Sequence, residues 1–197
     1  MVQRSGRATR VTAVTRAVAC LGMLVATPGA AQDISVSPGI NRSYESPDVE
    51  RLQATLERER RAIYRYRHAI VAVLGLRDGM AVADIGSGTG FITRLIGHEV
   101  GPDGRVYAMD IAQELLDHID ATAKAEGLAN VVSVLGDQHT TNLPPDSVDL
   151  ALVCDVYHHF EFPHDSLASI HQALREDGLL VVIDFERIQR GSAPTSS

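Results

Sequence analysis

The chain has 197 residues, which is most simply one domain with a substantial core. Its hydrophobic share of 45% and charged share of 22% are ordinary for a globular protein. The formal net charge of −7 argues against general nucleic-acid binding, because such binding depends on basic side chains that neutralise phosphates.

The first 31 residues differ from the rest of the chain. They contain no acid, and their basic residues are Arg4, Arg7, Arg10 and Arg16. An apolar run at 17–27 precedes small residues at Gly29 and Ala31. This pattern predicts a secretory signal peptide cleaved near Ala31, and hence a periplasmic or secreted protein with no membrane span. The alternative is a disordered leader or a misassigned start, which would leave the protein in the cytoplasm. Without the leader, 14 basic residues face 25 acidic ones, a net charge of −11.

A polar segment and a helical region follow the leader. Residues 32–46 are polar and predict a flexible arm. Pro47 can begin a helix with Ser46 as its N-cap. Apolar residues at helical spacing then predict one or two helices within 47–75. The arginine-rich run inside this region is most simply a solvated helix face.

Strand and helix signals alternate from residue 80 onward. Apolar runs predict strands at 80–85, 106–109, 131–135, 148–154 and 179–185. Helices are predicted between them at 91–100, 113–126 and 165–175. This alternation indicates an α/β fold with a doubly wound, mainly parallel sheet and helices on both faces. In such sheets, ligands bind outside the carboxyl ends of the strands.

The stretch "VADIGSGTGF", residues 82–91, ends the first predicted strand. Three glycines follow Asp84 at alternate positions, and glycine is favoured where the backbone needs positive φ or approaches a ligand closely. A strand, a glycine turn and a helix together indicate a cofactor site. The dinucleotide pattern G-x-G-x-x-G fails here, because its last glycine would fall at Phe91.

The pattern D-x-G-x-G-x-G, from Asp84 through Gly90, closely resembles the nucleotide-binding motif of the class I S-adenosylmethionine-dependent methyltransferases. Asp110 closes the second strand, where an acid can accept hydrogen bonds from ribose, although a dehydrogenase can also place an acid there. "GDQ" at 136–138 and the fourth- and fifth-strand regions match in order. The resemblance covers roughly residues 60–186.

The resemblance implies a Rossmann-like fold and S-adenosyl-L-methionine as cofactor. The cationic ammonium and sulfonium groups of this cofactor suit a site lined by carboxylates. Asp137 would lie near the adenine amino group. Tyr64 and Arg67 share a helix face, and Arg67 could hold the methionine carboxylate. The cofactor-binding residues predicted in this way are Asp84, Gly86, Ser87, Gly88, Gly90, Asp110, Ile111, Asp137, Gln138, Asp155, Tyr64 and Arg67.

Methyl transfer from a sulfonium is an in-line displacement, so the protein mainly aligns the reactants and supplies a base where the acceptor loses a proton. The candidates for catalysis are Tyr157, His158 and His159, which follow the fourth strand; capping and packing are alternative roles for both histidines. No metal site is predicted, because no residues have metal-ligand spacing. The predicted acceptor is a small molecule, and quinone-like, phenolic and amine acceptors all stay open.

The family's sheet usually ends in a reversed hairpin beside the fifth strand, and only about twelve residues follow Phe185. We therefore expect this C-terminal hairpin to be missing. The methyltransferase domain would span 47–190, with its core at 79–186 and a disordered tail at 191–197. The exposed fifth strand would favour self-association. The alternative function is a truncated, non-catalytic remnant that binds the cofactor or a partner.

Overall fold

The computed structural model describes residues 32–185. The predicted signal peptide, 1–31, and the predicted tail, 191–197, lie outside these residues, so both stay predictions. Among residues 32–185, no helix is long and apolar enough to cross a membrane.

Five strands form one parallel sheet in the order β3-β2-β1-β4-β5. The strands are β1 (Ala81–Ile85), β2 (Arg105–Asp110), β3 (Val131–Leu135), β4 (Val148–Cys154) and β5 (Leu174–Ile183). The strand order reverses between β1 and β4, so the switch point lies at the carboxyl ends of these two strands. The predicted doubly wound α/β fold is confirmed.

Six helices accompany the sheet: α1 (Val49–Leu56), α2 (Ala62–Arg65), α3 (Arg67–Val73), α4 (Phe91–Glu99), α5 (Gln113–Ala125) and α6 (Pro163–Ala173). A single 3-10 turn, Tyr157–His159, follows β4. Alternate strand residues point to opposite faces. Val82 and Leu150 pack with α3 and α4, whereas Ala83 and Ala151 pack with α6. The core therefore lies on both faces of the sheet.

The N-terminal helical region differs from the prediction in two ways. It forms three short helices, with breaks at residues 57–61 and at Tyr66. The cap of α1 is Asp48 and not Ser46, because the Asp48 carboxylate accepts a 3.0 Å hydrogen bond from the backbone N–H of Arg51. A carboxylate at this position reaches the third N–H of the helix, as an N-cap requires.

Strand β5 begins five residues earlier than predicted. Leu174 pairs with Val148 directly after α6, and Leu179 then pairs with Leu150. Five residues of β5 therefore span two of β4, and the expected "EDG" turn is a bulge inside the strand. Within residues 32–185, β5 pairs on one side only, and Leu179 and Val182 are exposed on it. Self-association through this strand stays a prediction.

Residues 32–46 lie against the domain, contrary to the expectation of a flexible arm. The Glu161 carboxylate accepts hydrogen bonds from the Ser35 hydroxyl at 3.0 Å and the Gly39 N–H at 3.1 Å. The backbone carbonyl of Glu161 accepts a third from the Val36 N–H at 2.9 Å. Glu161 is buried, so the polar residues of the arm satisfy its carboxylate where water does not. This is why a polar segment without helix or strand is held in place.

Candidate functional site

The glycine turn after β1 lies at the switch point of the sheet. Gly86, Gly88 and Gly90 have φ values of 68°, 56° and 72°, a region that side chains rarely adopt. A Cβ atom on Gly86 would lie 2.5 Å from Val156 Cγ1, and one on Gly90 would lie 2.7 Å from Ile119 Cγ1. A Cβ on Gly88 would meet only Leu56 Cδ1, at 3.5 Å. Packing therefore requires the first and third glycines, while the second faces open space.

Two buried carboxylates stand beside this turn. Asp84 is 3% exposed and accepts a 2.6 Å hydrogen bond from the Thr93 hydroxyl. Asp110 is 6% exposed and accepts hydrogen bonds from the N–H groups of Gly88 at 2.9 Å and Ile111 at 2.8 Å. The turn and the end of β2 are thus joined through a charged side chain.

Burial raises the pKa of Asp84 from 3.8 to about 6, and the negative charge of Asp110 raises it further. Burial also raises the pKa of Asp110, although backbone N–H groups oppose this by stabilising its charge. Two carboxylates kept out of water at one end of a sheet favour a cationic or hydrogen-bond-donating ligand.

A cavity of about 330 Å³ opens at this edge of the sheet. It is lined by the glycine turn, by the ends of β2 and β4, and by the loops that follow β3 and β4. The predicted site residues that line it are Asp84, Gly86, Ser87, Gly88, Asp110, Ile111, Asp137, Gln138, Asp155, His158 and His159.

Four predicted residues do not line this cavity. Gly90 packs on Ile119, as described above. Arg67 donates to the carbonyl oxygen of Tyr64 at 2.6 Å, and its guanidinium lies 4.0 Å from the centre of the Tyr64 ring. This pair does share a face, but the Tyr64 ring meets Phe91 edge-on. Tyr157 is 41% exposed, and its ring packs on Phe160.

Arg61 lines the cavity in place of Arg67, and it was missed in the sequence, where it belongs to a run assigned to a solvated helix face. Its guanidinium makes an ion pair with Asp155, whose side chain is 8% exposed. Asp155 has a φ of 60°, a backbone conformation that is uncommon outside glycine and is often found at functional sites. Arg61 caps α2, so no helical periodicity marks it.

The arm also lines the cavity, through Asn41 and Tyr44, and neither residue was predicted. Asn41 is buried and bonds both Gln138 and His159. The Tyr44 ring meets the His159 ring edge-on, with 5.0 Å between centres. Polar residues in a segment without periodicity carry no local signal of such a role.

The two adjacent histidines have different partners. Nδ1 of His158 lies 3.0 Å from both carboxylate oxygens of Asp184. Nδ1 of His159 lies 3.1 Å from the Asn41 side-chain oxygen. Burial lowers the pKa of His159, and the neighbouring His158 lowers it further, so His159 favours its neutral form. A neutral imidazole can accept a proton.

Asp155, His158 and Asp184 each offer one potential ligand atom, and these atoms lie within 4.8 Å of one another. Each is already paired, because Arg61 neutralises Asp155 and Asp184 bonds the His158 ring. The geometry therefore favours an ion-pair network over a metal centre at this position, and we assign no metal.

Comparison with known proteins decides the family. The model of a methyltransferase domain matches residues 83–182, which is half of the chain and includes the glycine turn and the loop after β4. The chain belongs to the class I S-adenosyl-L-methionine-dependent methyltransferases. The cofactor of this methyltransferase family is S-adenosyl-L-methionine.

Individual relatives match at low identity. An uncharacterized 37.1 kDa protein in transposon TN4556 of Streptomyces fradiae is 33% identical over 59% of this chain and 33% of its own length. The ubiquinone/menaquinone biosynthesis C-methyltransferase UbiE of Shewanella sp. (strain W3-18-1) is 30% identical over 64% of this chain and 51% of its own. The methyltransferase chain thus spans half or less of these curated relatives.

A solved structure shows the same fold. The S-adenosylmethionine-dependent methyltransferase from Aquifex aeolicus has a TM-score of 0.64 and 24% identity, covering 75% of this chain and 78% of that one. The methyltransferase site itself fits the cofactor. Gly88 leaves space for a close approach to the backbone, and the buried carboxylates complement its ammonium, sulfonium and ribose groups.

The glycine turn generates a matched test. We expect Gly88→Ala to lower cofactor affinity at least about tenfold, since the new methyl group enters the cavity, while positive φ costs about 1–2 kcal/mol of stability. Gly90→Ala should lower the free energy of unfolding more, because its Cβ also collides with Ile119 in the core. Calorimetric titration and urea unfolding measure the two effects. Wild-type affinity in Gly88→Ala would contradict the assignment.

Asp84 generates a test of pH dependence. Its pKa rises from 3.8 to about 6 on folding, so the penalty for its charge is absent below pH 3.8 and complete above pH 6. Asp84→Asn removes this penalty and still accepts the Thr93 hydrogen bond. We expect the ligand-free variant to be more stable than the wild type at pH 7.5, by up to about 3 kcal/mol.

The stability difference should shrink as the pH falls towards 4, and cofactor affinity at pH 7.5 should drop. Urea unfolding between pH 4 and 8 measures the first effect, and calorimetry the second. Asp103→Asn is the control, since Asp103 is exposed on a turn. A less stable Asp84→Asn protein at pH 7.5 would refute the argument.

Proposed function

We propose that this chain transfers a methyl group from S-adenosyl-L-methionine to a small-molecule acceptor by in-line displacement. The observation that carries the proposal is the single cavity, which touches the Gly88 opening and the two buried carboxylates as well as the paired histidines. Cofactor-binding and proton-accepting groups therefore share one enclosed space.

When bound, the cofactor supplies an electrophilic methyl group. Asp84 and Asp110 would bind its cationic and hydroxyl groups, and Asp137 and Gln138, after β3, would bind the adenine end. Arg61 takes the role expected of Arg67 and holds the methionine carboxylate, because its guanidinium lines the cavity whereas that of Arg67 bonds Tyr64 and Glu59.

The chain's part in the chemistry is alignment and removal of a proton. His159 is the better proton acceptor, since its neutral form is favoured, and His158 is held by Asp184 beside it. Tyr157 has no part in this proposal. A small acceptor is supported by the size of the cavity, by the acidic net charge and by the relative named for ubiquinone and menaquinone biosynthesis.

A second candidate is a cofactor- or partner-binding remnant without turnover. It is supported by the shortness of the match, which spans 51% of the Shewanella relative, and by the one-sided pairing of β5 within residues 32–185. Self-association through β5 belongs to this candidate. Light scattering would test it, and a monodisperse monomer with full activity would exclude it.

Export to the periplasm is a separate proposal, supported by the basic and then apolar composition of residues 1–31. Mass spectrometry of protein from a Gram-negative host should find a mature N-terminus near Gln32. An intact Met1 in the cytoplasm would contradict export and leave the catalytic proposal untouched.

The proposed activity is tested by titrating the folded chain with S-adenosyl-L-methionine and by screening small-molecule pools with methyl-labelled cofactor. Binding with transfer to a small molecule supports the proposal, and binding without any transfer supports the remnant. Transfer only to RNA or DNA would overturn the choice of acceptor. No binding would overturn both candidates.

A matched pair of arginine variants tests the cofactor pose. We expect Arg61→Gln to weaken cofactor binding roughly tenfold or more, because it removes the cation that lines the cavity. Arg67→Gln should change affinity less than about twofold, since Arg67 contacts Tyr64 and Glu59 instead. Calorimetry on both variants decides, and the reverse order of effects would restore the sequence-based assignment.

A further inference from the structure

Asn41 has the contacts of a working residue although it lies in the arm. It is 5% exposed, in a segment without helix or strand. Its amide nitrogen donates to Oε1 of Gln138 and to the backbone carbonyl of His159, both at 2.8 Å. Its side-chain oxygen lies 3.1 Å from Nδ1 of His159. One side chain therefore connects the loop after β3 with the turn after β4.

These contacts fix which atoms of Asn41 and His159 carry hydrogen. A backbone carbonyl only accepts hydrogen bonds, so the Asn41 atom facing the His159 carbonyl must be the amide nitrogen. The other atom is then the oxygen, which also only accepts. The His159 nitrogen facing it must donate, so the proton of the neutral ring is on Nδ1. Nε2 is left with a lone pair.

The arm holds the His159 ring from a second direction as well. Tyr44, three residues beyond Asn41, meets the ring edge-on at 78°. The arm itself is anchored by Glu161, which accepts hydrogen bonds from Ser35 and Gly39. Ring orientation and tautomer thus both depend on the docked arm.

We propose that Asn41 is a positioning residue that holds His159 with Nδ1 protonated, so that Nε2 accepts the proton of the methyl acceptor. This inference rests on the proposed methyltransferase function. In the reaction, the acceptor's heavy atom forms a bond to the methyl carbon and the carbon–sulfur bond breaks. The acceptor proton moves to Nε2, and Nδ1 keeps its proton, so the imidazolium is stabilised by the Asn41 oxygen.

The test is Asn41→Leu, which keeps the approximate volume and removes all three hydrogen bonds. Nitrogen-15 NMR of the histidine rings should show His159 of the wild type protonated on Nδ1, with Nε2 unprotonated near pH 8. In Asn41→Leu we expect a mixture of tautomers. With an acceptor identified, kcat should fall roughly 10- to 100-fold while cofactor affinity stays within about twofold.

Ser35→Ala is the matched control, because it removes one arm hydrogen bond to Glu161 without touching His159. It should leave the tautomer of His159 unchanged even where it lowers thermal stability. A wild-type His159 protonated on Nε2, or an Asn41→Leu protein with the wild-type tautomer and kcat, overturns the inference. The NMR signature needs no turnover, so a chain that shows it but methylates nothing contradicts the proposed function and not the tautomer.

Discussion

The burial of Asp84 and Asp110 beside the glycine turn is the constraint on which the site depends. Charged carboxylates are unfavourable out of water unless other groups satisfy them. Thr93 bonds one carboxylate, and the backbone of Gly88 and Ile111 bonds the other. These bonds stabilise the pair only in part, since the pKa of each carboxyl stays raised. The unfavourable remainder is what a cationic ligand can offset.

Holding two carboxylates in this way requires a turn that cannot shift. Gly86 packs against Val156, in the segment after β4, and Gly90 packs against Ile119 of α5. The first and third glycines therefore fasten the turn to its neighbours on both sides of the switch point. Gly88, between them, is fixed in position while its own Cα faces open space. Tight packing around one open position is how a rigid backbone can approach a ligand closely.

Local patterns predicted the fold and half of the site. Strands alternating with helices identify a parallel sheet, and the topology of such a sheet brings Asp84, Asp110, Asp137 and Asp155 to one edge. These residues were found because each follows a strand. The contact of Tyr64 with Arg67 was also found, because it is local. Its position away from the cavity was not, since spacing along a helix says nothing about where the helix packs.

The rest of the site depends on contacts between distant parts of the chain. Arg61 reaches Asp155 across 94 residues, and Asn41 reaches Gln138 across 97. Neither residue has periodic neighbours, so composition indicates only a solvated helix face and a flexible arm. Such residues become ordered when the domain offers buried groups that lack partners, as Glu161 does for the arm. The proton-accepting side of the cavity is therefore a product of tertiary structure, whereas the cofactor side is written in the turn that follows β1.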